Sequence, residues 1–320
     1  MKVIVSFSLI IILLVLVMTS QAQNPIATTT PTPGGLIIAP PTVMFTAMPS
    51  PIPTNTPRVS PTPTPIPGDH FFLSRPFAYD PDGIIKDFPA RGYAYGSTAA
   101  NSLQVHHGID IENPTGTWIR AVGDGVVFYA GTDLSVQFGP RLDFYGNLVV
   151  IKHTVTAPDG RDLYSLYGHL SDIDVEPGQE ITAGETIGAV GATGVAFGAH
   201  LHIEVRIANP YDYYSTYNPE LWIMPWRDHG VFAARIVDAQ GQPVMGMRVE
   251  IIGQGRYFPG WTYSDITVNG DPYLQENIAI GDMPAGEYDI KVGEIRHTRY
   301  RGKITILPGE TSFYEITLQN

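Results

Sequence analysis

Hydrophobic and polar residues alternate along one short stretch in the second half of the chain, residues 200–207. Successive side chains of a β-strand point to opposite faces, so this pattern predicts a strand with one apolar and one polar face. The apolar face consists of Leu201, Ile203, Val205 and Ile207. The polar face consists of His200, His202, Glu204 and Arg206. Two imidazoles would stand side by side there, which suits a metal site but also occurs on ordinary exposed strands.

From residue 69 to about residue 226 the pattern consists of short apolar runs separated by glycine and proline turns, with no long helical period. Residues 121–131 predict two strands around a turn, and residues 147–153 and 161–167 predict a hairpin across Pro158-Asp159-Gly160. Residues 175–188 again alternate turns with short strands. We therefore expect a compact, mostly antiparallel β domain over 69–227, with a groove on one face.

The pattern of hydrophobic and polar residues changes after Trp226. Short alternating runs follow, separated by turns at Pro284-Ala285-Gly286 and Pro308-Gly309. The runs at 232–238, 247–252 and 288–292, and those from 303–306 to 317–318, predict strands. For 228–320 we expect a small immunoglobulin-like β-sandwich, similar to carboxypeptidase-regulatory or Cna B-type domains.

Four aromatic residues lie close together in this second domain: Tyr257, Phe258, Trp261 and Tyr263. They suggest a sugar-stacking face and thus a contact with the cell wall, but aromatic residues of a small sandwich also form its core. A structural or spacing role for the domain is the alternative.

The amino terminus has the pattern of a secretory signal. A lysine at position 2 precedes an apolar run over 3–18, and small residues follow at Ser20 and Ala22. We expect 1–22 to be a signal peptide cleaved after Ala22 or, alternatively, an uncleaved membrane anchor. The only membrane contact that we expect is through this segment if it is retained. Residues 23–68 are dense in proline and threonine, which predicts a disordered, extended linker.

Composition narrows the partners and the possible metal ligands. The net charge is -12 with a pI near 5.1, and no basic run interrupts it, which argues against nucleic acid as a partner. The chain has no cysteine, so a bound metal must be held by nitrogen and oxygen atoms.

Two further polar clusters precede the alternating stretch. One contains His106, His107 and Asp110, and the other places His169 after Tyr167-Gly168. Imidazoles and one carboxylate, arriving from three separate places, form the ligand set of a catalytic zinc. The residues alone do not decide which imidazoles bind the metal.

The order of these clusters resembles that of the lysostaphin/LytM-type zinc endopeptidases, the M23 peptidases. The stretches that carry the resemblance are His106-x-x-x-Asp110, Asn113-Pro114-Thr115-Gly116-Thr117, Tyr167-Gly168-His169-Leu170-Ser171, Pro177-Gly178 through Ile187-Gly188, His200-Leu201-His202-Ile203-Glu204-Val205-Arg206 and Asn218-Pro219-Glu220-Leu221-Trp222. It covers roughly 93–226.

The resemblance implies one zinc ion per chain, held by His106, Asp110 and His202, with His169 and His200 as the catalytic pair. Three protein ligands leave a fourth position for water, whose pKa zinc can lower to about 7. We expect His200 to take the water proton and His169 to steady the oxyanion, although the two roles can also be exchanged.

Other residues near these motifs receive lesser roles. His107 and His153 are expected to be surface or packing histidines, and Glu204 either an exposed polar residue or a partner that orients a histidine. The loop 191–198 departs from the family, which often carries a Ser-Thr pair where Ala196-Phe197 stand here. This departure concerns substrate contacts in that loop and does not change the expected zinc ligands.

The sequence thus predicts an extracytoplasmic zinc endopeptidase, secreted or associated with the cell envelope, that hydrolyses stem or cross-link peptides of bacterial peptidoglycan. The alternative is a non-catalytic wall-binding or regulatory module of the same fold, against which the filled ligand positions argue. A surface adhesin that uses the β domain as a scaffold would leave the ordered histidines unexplained.

Overall fold

The structure is a computed structural model that describes residues 68–319. The predicted signal or anchor at 1–22 and almost all of the predicted linker lie outside the described residues. Between residues 68 and 319, no helix is long and apolar enough to cross a membrane.

The described chain is built from strands and two short 3-10 helices, Arg91–Tyr93 and Pro219–Leu221. The strands before residue 227 are β1 Ile109–Glu112, β2 Trp118–Arg120, β3 Gly125–Thr132, β4 Asn147–Thr156, β5 Asp162–Gly168, β6 Asp172–Ile173, β7 Glu180–Ile181, β8 Thr186–Ala189, β9 His200–Ile207 and β10 Thr216–Tyr217. The later strands are β11 His229–Val237, β12 Arg248–Gly253, β13 Arg256–Trp261, β14 Ile278–Pro284, β15 Gly286–Glu294, β16 His297–Ile306 and β17 Thr311–Thr317.

The main sheet of the first part has the order β1-β9-β5-β4-β3-β7, with β10 also paired to β9, and all its pairs are antiparallel. A smaller sheet has the order β2-β8-β6. The expectation of a mostly β, antiparallel fold is confirmed. The predicted hairpin across Pro158-Asp159-Gly160 is present as β4 and β5.

The prediction of two strands around a turn at 121–131 is wrong. Residues 125–132 form the single strand β3, which pairs with β4 and shifts register between Val127 and Tyr129. Ala121 instead donates its amide to the carbonyl of Glu185 at 2.8 Å. The turn at 123–124 therefore joins strands of two different sheets, which local sequence does not distinguish from a hairpin.

Strand β9 lies inside the main sheet, between β1 and β5, and both of its faces are buried. The apolar face of β9 belongs to a large hydrophobic core, called the first core here, as the alternation predicts. Its residues are Leu201, Ile203, Val205 and Ile207. The polar face is covered by a smaller aromatic cluster that includes Phe138 and Tyr145. Glu204 and Arg206 consequently have no solvent exposure, so their charges must be satisfied within the protein.

Two sheets form the part of the chain after residue 228. One has the order β14-β11-β17, with β11 and β17 parallel, and the other has the order β13-β12-β15-β16. A second core lies between them. Strands β13 and β14 were not predicted from the sequence. The immunoglobulin-like classification and the boundaries of the four segments stay predictions.

The aromatic residues proposed for sugar stacking do not share one face. Tyr257 is 48% exposed, whereas its neighbour Phe258 packs into the second core and Tyr263 into the first. Alternation along β13 separates the first two, because adjacent strand residues face opposite ways.

Strand β11 connects the two parts, because its side chains alternate between the two cores. Val231 and Ala233 belong to the first core, while Phe232 and Ala234 belong to the second. Phe313 of β17 also reaches the first core. The β14-β11-β17 sheet is thus apolar on both faces, and its outer face packs against the first part of the chain.

Buried charged groups accompany this apolar contact. Arg75 donates to Asp87 at 2.6 Å and to Asp282 at 3.0 Å, which links the amino-terminal segment to β14. Glu276 is 2% exposed and accepts hydrogen bonds from the Tyr263 hydroxyl at 2.8 Å and the Asp271 amide at 2.7 Å. Burial raises the pKa of Glu276 to about 8, so the folded protein holds a proton there that the unfolded chain releases.

We expect Glu276 to make the fold less stable as pH rises. Because its folded pKa lies above its unfolded value, the unfolded state binds fewer protons between about pH 4.5 and 8. The stability contribution is complete below pH 4.5 and is lost by pH 8, at up to about 1.4 kcal/mol per pH unit. Urea unfolding of the wild type and Glu276→Gln at pH 5, 6, 7 and 8 measures this slope. An equal slope in both proteins would contradict the assignment.

Candidate metal centre

Two imidazoles and one carboxylate converge on a small volume at the edge of the main sheet. Asp110 Oδ1 lies 3.1 Å from His106 Nε2 and 2.9 Å from His202 Nδ1, and these two nitrogen atoms are 3.1 Å apart. Among the described histidines and acidic residues, these three form the group whose donor atoms lie close enough together to hold one metal ion.

Strand pairing brings Asp110 and His202 together. In the antiparallel register of β1 and β9, Asp110 lies directly opposite His202, and Ile109 lies opposite Ile203. Both polar side chains point to one face and both isoleucines point into the first core. Gly108 leaves room for the imidazole, since a Cβ at this position would lie 2.7 Å from His202 Nε2.

Hydrogen bonds fix which ring nitrogen of each ligand candidate is free. His106 Nδ1 donates to the Tyr93 carbonyl at 2.7 Å, and its ring stacks on the Tyr93 ring with centroids 4.0 Å apart. His202 Nε2 donates to Glu204 Oε1 at 3.0 Å. Although burial opposes protonation, without a metal the carboxylates of Asp110 and Glu204 raise the pKa of His202 to about 9. Metal binding requires deprotonated donors, and the lone pairs of His106 Nε2 and His202 Nδ1 would then be directed towards Asp110.

The donor set fits zinc. Three electron-pair donors that face one another within 3.1 Å repel unless a cation or a proton lies among them. Tetrahedral zinc, about 2.0–2.1 Å from each donor, would hold them about 3.4 Å apart, close to the distances found here. Although burial opposes ionisation, the neighbouring imidazoles hold the pKa of Asp110 well below its usual range, so it is available as a carboxylate.

A network of buried hydrogen bonds orients the His202 side chain. Glu204 Oε2 accepts a hydrogen bond from Arg206 Nε at 2.6 Å, and Tyr145 donates its hydroxyl to Glu204 Oε1. Arg206 also donates to the Phe138 carbonyl at 3.0 Å. Glu204 therefore orients the histidine, as one of the two sequence interpretations proposed, and the interpretation of an exposed side chain is wrong.

The two remaining histidines of the motifs lie beside this centre. The rings of His169 and His200 have centroids 4.8 Å apart, and His200 Nε2 lies 3.6 Å from Asp110 Oδ1. His169 Nδ1 donates to the Thr193 carbonyl at 2.8 Å, and His200 Nδ1 donates to the Gly198 carbonyl at 2.9 Å. Burial lowers the pKa of both rings, that of His169 to about 3. Both neutral rings therefore present Nε2 as a proton acceptor.

A groove of about 1090 Å³ passes over these groups. Its floor includes Asp110, His169, His200 and His202, and its walls include Tyr93 and Tyr213. Phe197 stands on the rim and is 89% exposed. It lies in the loop where the sequence departs from the family, so an aromatic ring occupies that part of the rim.

The other histidines do not share these ligand contacts. His107 is buried, hydrogen-bonded to Thr216 Oγ1 at 3.1 Å, and stacked near Tyr213. His153 is buried and hydrogen-bonded to Ser165 Oγ at 2.8 Å. Both are packing residues, as one of the two sequence interpretations holds, and neither is a surface residue.

Sequence reasoning missed Tyr93 and Tyr145. Tyr93 lies 13 residues before His106, at the end of a short 3-10 helix, and Tyr145 reaches Glu204 across 59 residues. Neither belongs to a periodic pattern or to a motif of ligand residues. Their roles depend on contacts that only the folded chain creates.

The fold and the site together define an all-β domain with a candidate metal centre of histidine and aspartate donors. Residues 104–213 match the model of peptidase family M23, and this region is called the M23 domain below.

The chain is also similar to curated proteins, among them two with endopeptidase in their names. DD-carboxypeptidase/endopeptidase Mpg of Neisseria meningitidis is 39% identical over 107 residues, which are 33% of this chain and 21% of the relative. Peptidoglycan DD-endopeptidase ShyA of Vibrio cholerae is 36% identical over 102 residues, which are 32% of this chain and 20% of the relative. The chain thus spans about a fifth of the length of these relatives.

Among solved structures, the catalytic domain of the antimicrobial peptidase lysostaphin from Staphylococcus simulans is 24% identical. The match covers 44% of this chain and 96% of that domain, with a TM-score of 0.34.

We expect His106→Ala and His202→Ala to lose stoichiometric zinc, since each removes one of three protein donors. His200→Ala is expected to retain zinc, because its Nε2 lies outside the closest donor group. Zinc content after dialysis and chelator competition distinguish the variants. Full zinc content in His202→Ala, or loss of zinc in His200→Ala, would contradict the ligand assignment.

We expect Glu204→Gln to weaken zinc binding by about 10- to 100-fold, because it removes the carboxylate that orients His202. It also leaves the buried guanidinium of Arg206 without its counter-charge, at a cost of about 3–5 kcal/mol in stability. The matched control is Tyr145→Phe, which keeps both charges and removes only the hydroxyl. Chelator competition and urea unfolding measure the two effects. Equal zinc affinity in Glu204→Gln and the wild type would argue against this role.

Proposed function

We propose that this protein is a zinc-dependent endopeptidase that hydrolyses peptide bonds in the stem or cross-link peptides of bacterial peptidoglycan. The observation that carries the proposal is the convergence of His106, Asp110 and His202 on the floor of an open groove, next to His169 and His200. A buried structural metal would not require an open groove or two further imidazoles.

The proposed chemistry divides between the metal and the histidine pair. Zinc, held by the three donors, would polarise the scissile carbonyl and make a water molecule acidic enough to act at neutral pH. His200 Nε2 takes the proton of the attacking water and returns it to the amide nitrogen that leaves. The hydrogen bond from His200 Nδ1 to the Gly198 carbonyl supports this role, because it leaves Nε2 as an acceptor.

The role of His169 depends on its proton. Its Nδ1–H is engaged with the Thr193 carbonyl, so a neutral ring offers no hydrogen to an oxyanion. Since burial lowers the pKa of His169 to about 3, we propose that the neutral ring acts as a second proton acceptor through Nε2. Steadying the oxyanion, the role expected from the sequence, would require an imidazolium, which burial opposes.

The peptidoglycan assignment rests on the groove and on the relatives. An open groove with Tyr93 and Tyr213 on its walls admits an extended peptide, and the two relatives have endopeptidase in their names. Phe197 on the rim adds an apolar contact for the substrate on one side of the scissile bond. Such a substrate lies outside the cytoplasm, in agreement with the signal-like residues 1–22.

We expect the purified protein to release new amino termini from isolated peptidoglycan, with about one zinc per chain. His200→Ala is expected to keep zinc and to lose about 100- to 10000-fold in turnover, the usual contribution of a general base. Mass analysis of the released fragments identifies the bond that is cut. His297→Ala, in the other part of the chain, serves as the matched control.

The outcomes separate the two function classes. Chelator-sensitive cleavage that depends on His200 supports the endopeptidase. Stoichiometric zinc without cleavage of any wall preparation would support the wall-binding or regulatory alternative, and a chain that binds no zinc would remove the basis of the mechanism.

A further inference from the structure

The segment 262–277, between β13 and β14, packs against the M23 domain close to the metal centre. The Tyr263 ring is 4% exposed, belongs to the first core, and meets the Tyr95 ring edge to face at 5.3 Å between centroids. Gly96 is a point of close approach, since a Cβ there would lie 2.3 Å from Tyr263 Cδ1.

Backbone hydrogen bonds connect this segment to His106, a candidate metal ligand. The Ser264 amide donates to the Gly96 carbonyl at 2.7 Å, and the Gly96 amide donates to the His106 carbonyl at 2.8 Å. The His106 amide in turn donates to the Ser97 carbonyl at 3.0 Å. Two hydrogen bonds therefore join the C-terminal part of the chain to the backbone of His106.

The residues on both sides of Tyr93 also contact the C-terminal part of the chain. Tyr93 orients His106 through its carbonyl and its ring. On one side of it, Arg91 donates to the Gly281 carbonyl of β14 at 2.7 Å. On the other side, the Tyr95 hydroxyl lies 3.3 Å from the Asn269 carbonyl. Both ends of the short segment 91–95 thus contact the C-terminal part.

Asn269 adds a third connection. Its side-chain amide donates to the Tyr214 carbonyl at 2.6 Å and to the Thr216 carbonyl at 2.9 Å. Thr216 is hydrogen-bonded to His107, the residue next to His106, and Tyr95 also donates to the Thr216 carbonyl, at 2.8 Å. The groove wall near Tyr213 and Tyr214 is therefore attached to Asn269.

We propose that segment 262–277 is a positioning element of the metal centre, which holds His106 and the adjacent groove wall through Tyr95, Gly96 and Asn269. This inference rests on the proposed zinc site and goes beyond it, because it gives the C-terminal part a role in the peptidase itself and not only in spacing or wall contact. The mechanism is restraint of one ligand by a packed, hydrogen-bonded neighbour.

The test uses the full-length protein with Tyr95→Phe and Asn269→Ala, which remove hydrogen bonds and leave every metal donor in place. We expect each variant to weaken zinc binding by about threefold to tenfold, measured by chelator competition. We also expect the visible absorption of the cobalt-substituted protein to change, because that spectrum reports ligand geometry directly. Ile304→Val, in the second core away from this segment, is the control for a general loss of stability.

Two results would overturn the inference. One is zinc affinity and a cobalt spectrum in both variants equal to those of the wild type, and the other is an equal weakening in Ile304→Val. A wild-type protein that binds zinc but cleaves no peptidoglycan would show that the proposed function is wrong, independently of the positioning role. In that case the affinity and spectral measurements still decide the positioning role.

Discussion

The close approach of three metal-donor atoms is the constraint on which the rest of the structure depends. His106 Nε2, His202 Nδ1 and Asp110 Oδ1 lie within 3.1 Å of one another, and the second nitrogen of each ring is already engaged. Such a group does not stay together without a cation or a shared proton. The surrounding protein must hold the donors in place, and much of the architecture serves this purpose.

The support comes from burial on both sides of β9. One face of this strand fills the first core, while the other carries His202, Glu204 and Arg206 under an aromatic cover. A charged pair without solvent contact is costly unless it is fully hydrogen-bonded, and Arg206 meets this condition through Glu204, Tyr145 and backbone carbonyls. This pair gives rigidity to the strand that presents a candidate metal ligand, His202, and the proposed catalytic histidine, His200.

The C-terminal part extends this support. Because the outer face of its β14-β11-β17 sheet joins the first core, it is packed against the M23 domain and not only tethered to it. The proposed positioning role follows from this contact, since segment 262–277 reaches Tyr95 and Gly96 on one side of Tyr93, and β14 reaches Arg91 on the other. A wall-binding role for the aromatic residues finds less support, because Phe258 and Tyr263 are core residues of different clusters.

The sequence by itself determined the β class and the strand at 200–207, because period-two alternation is a local property. It also supplied the histidines and the aspartate of the candidate centre, while their division into metal ligands and catalytic residues came from the resemblance to the M23 peptidases and stays a prediction. It left open whether Glu204 is an exposed polar residue or orients a histidine, and the structure decided for the second. It did not determine the strands around 121–131, the roles of Tyr93 and Tyr145, or the contact between the two parts of the chain. These depend on residues far apart in sequence, such as Gly96 and Tyr263, whose proximity arises only when the sheets pack. Tertiary structure also decided which nitrogen of each imidazole is free, since the carbonyl or carboxylate that fixes it lies on another segment or is brought within reach only by the fold.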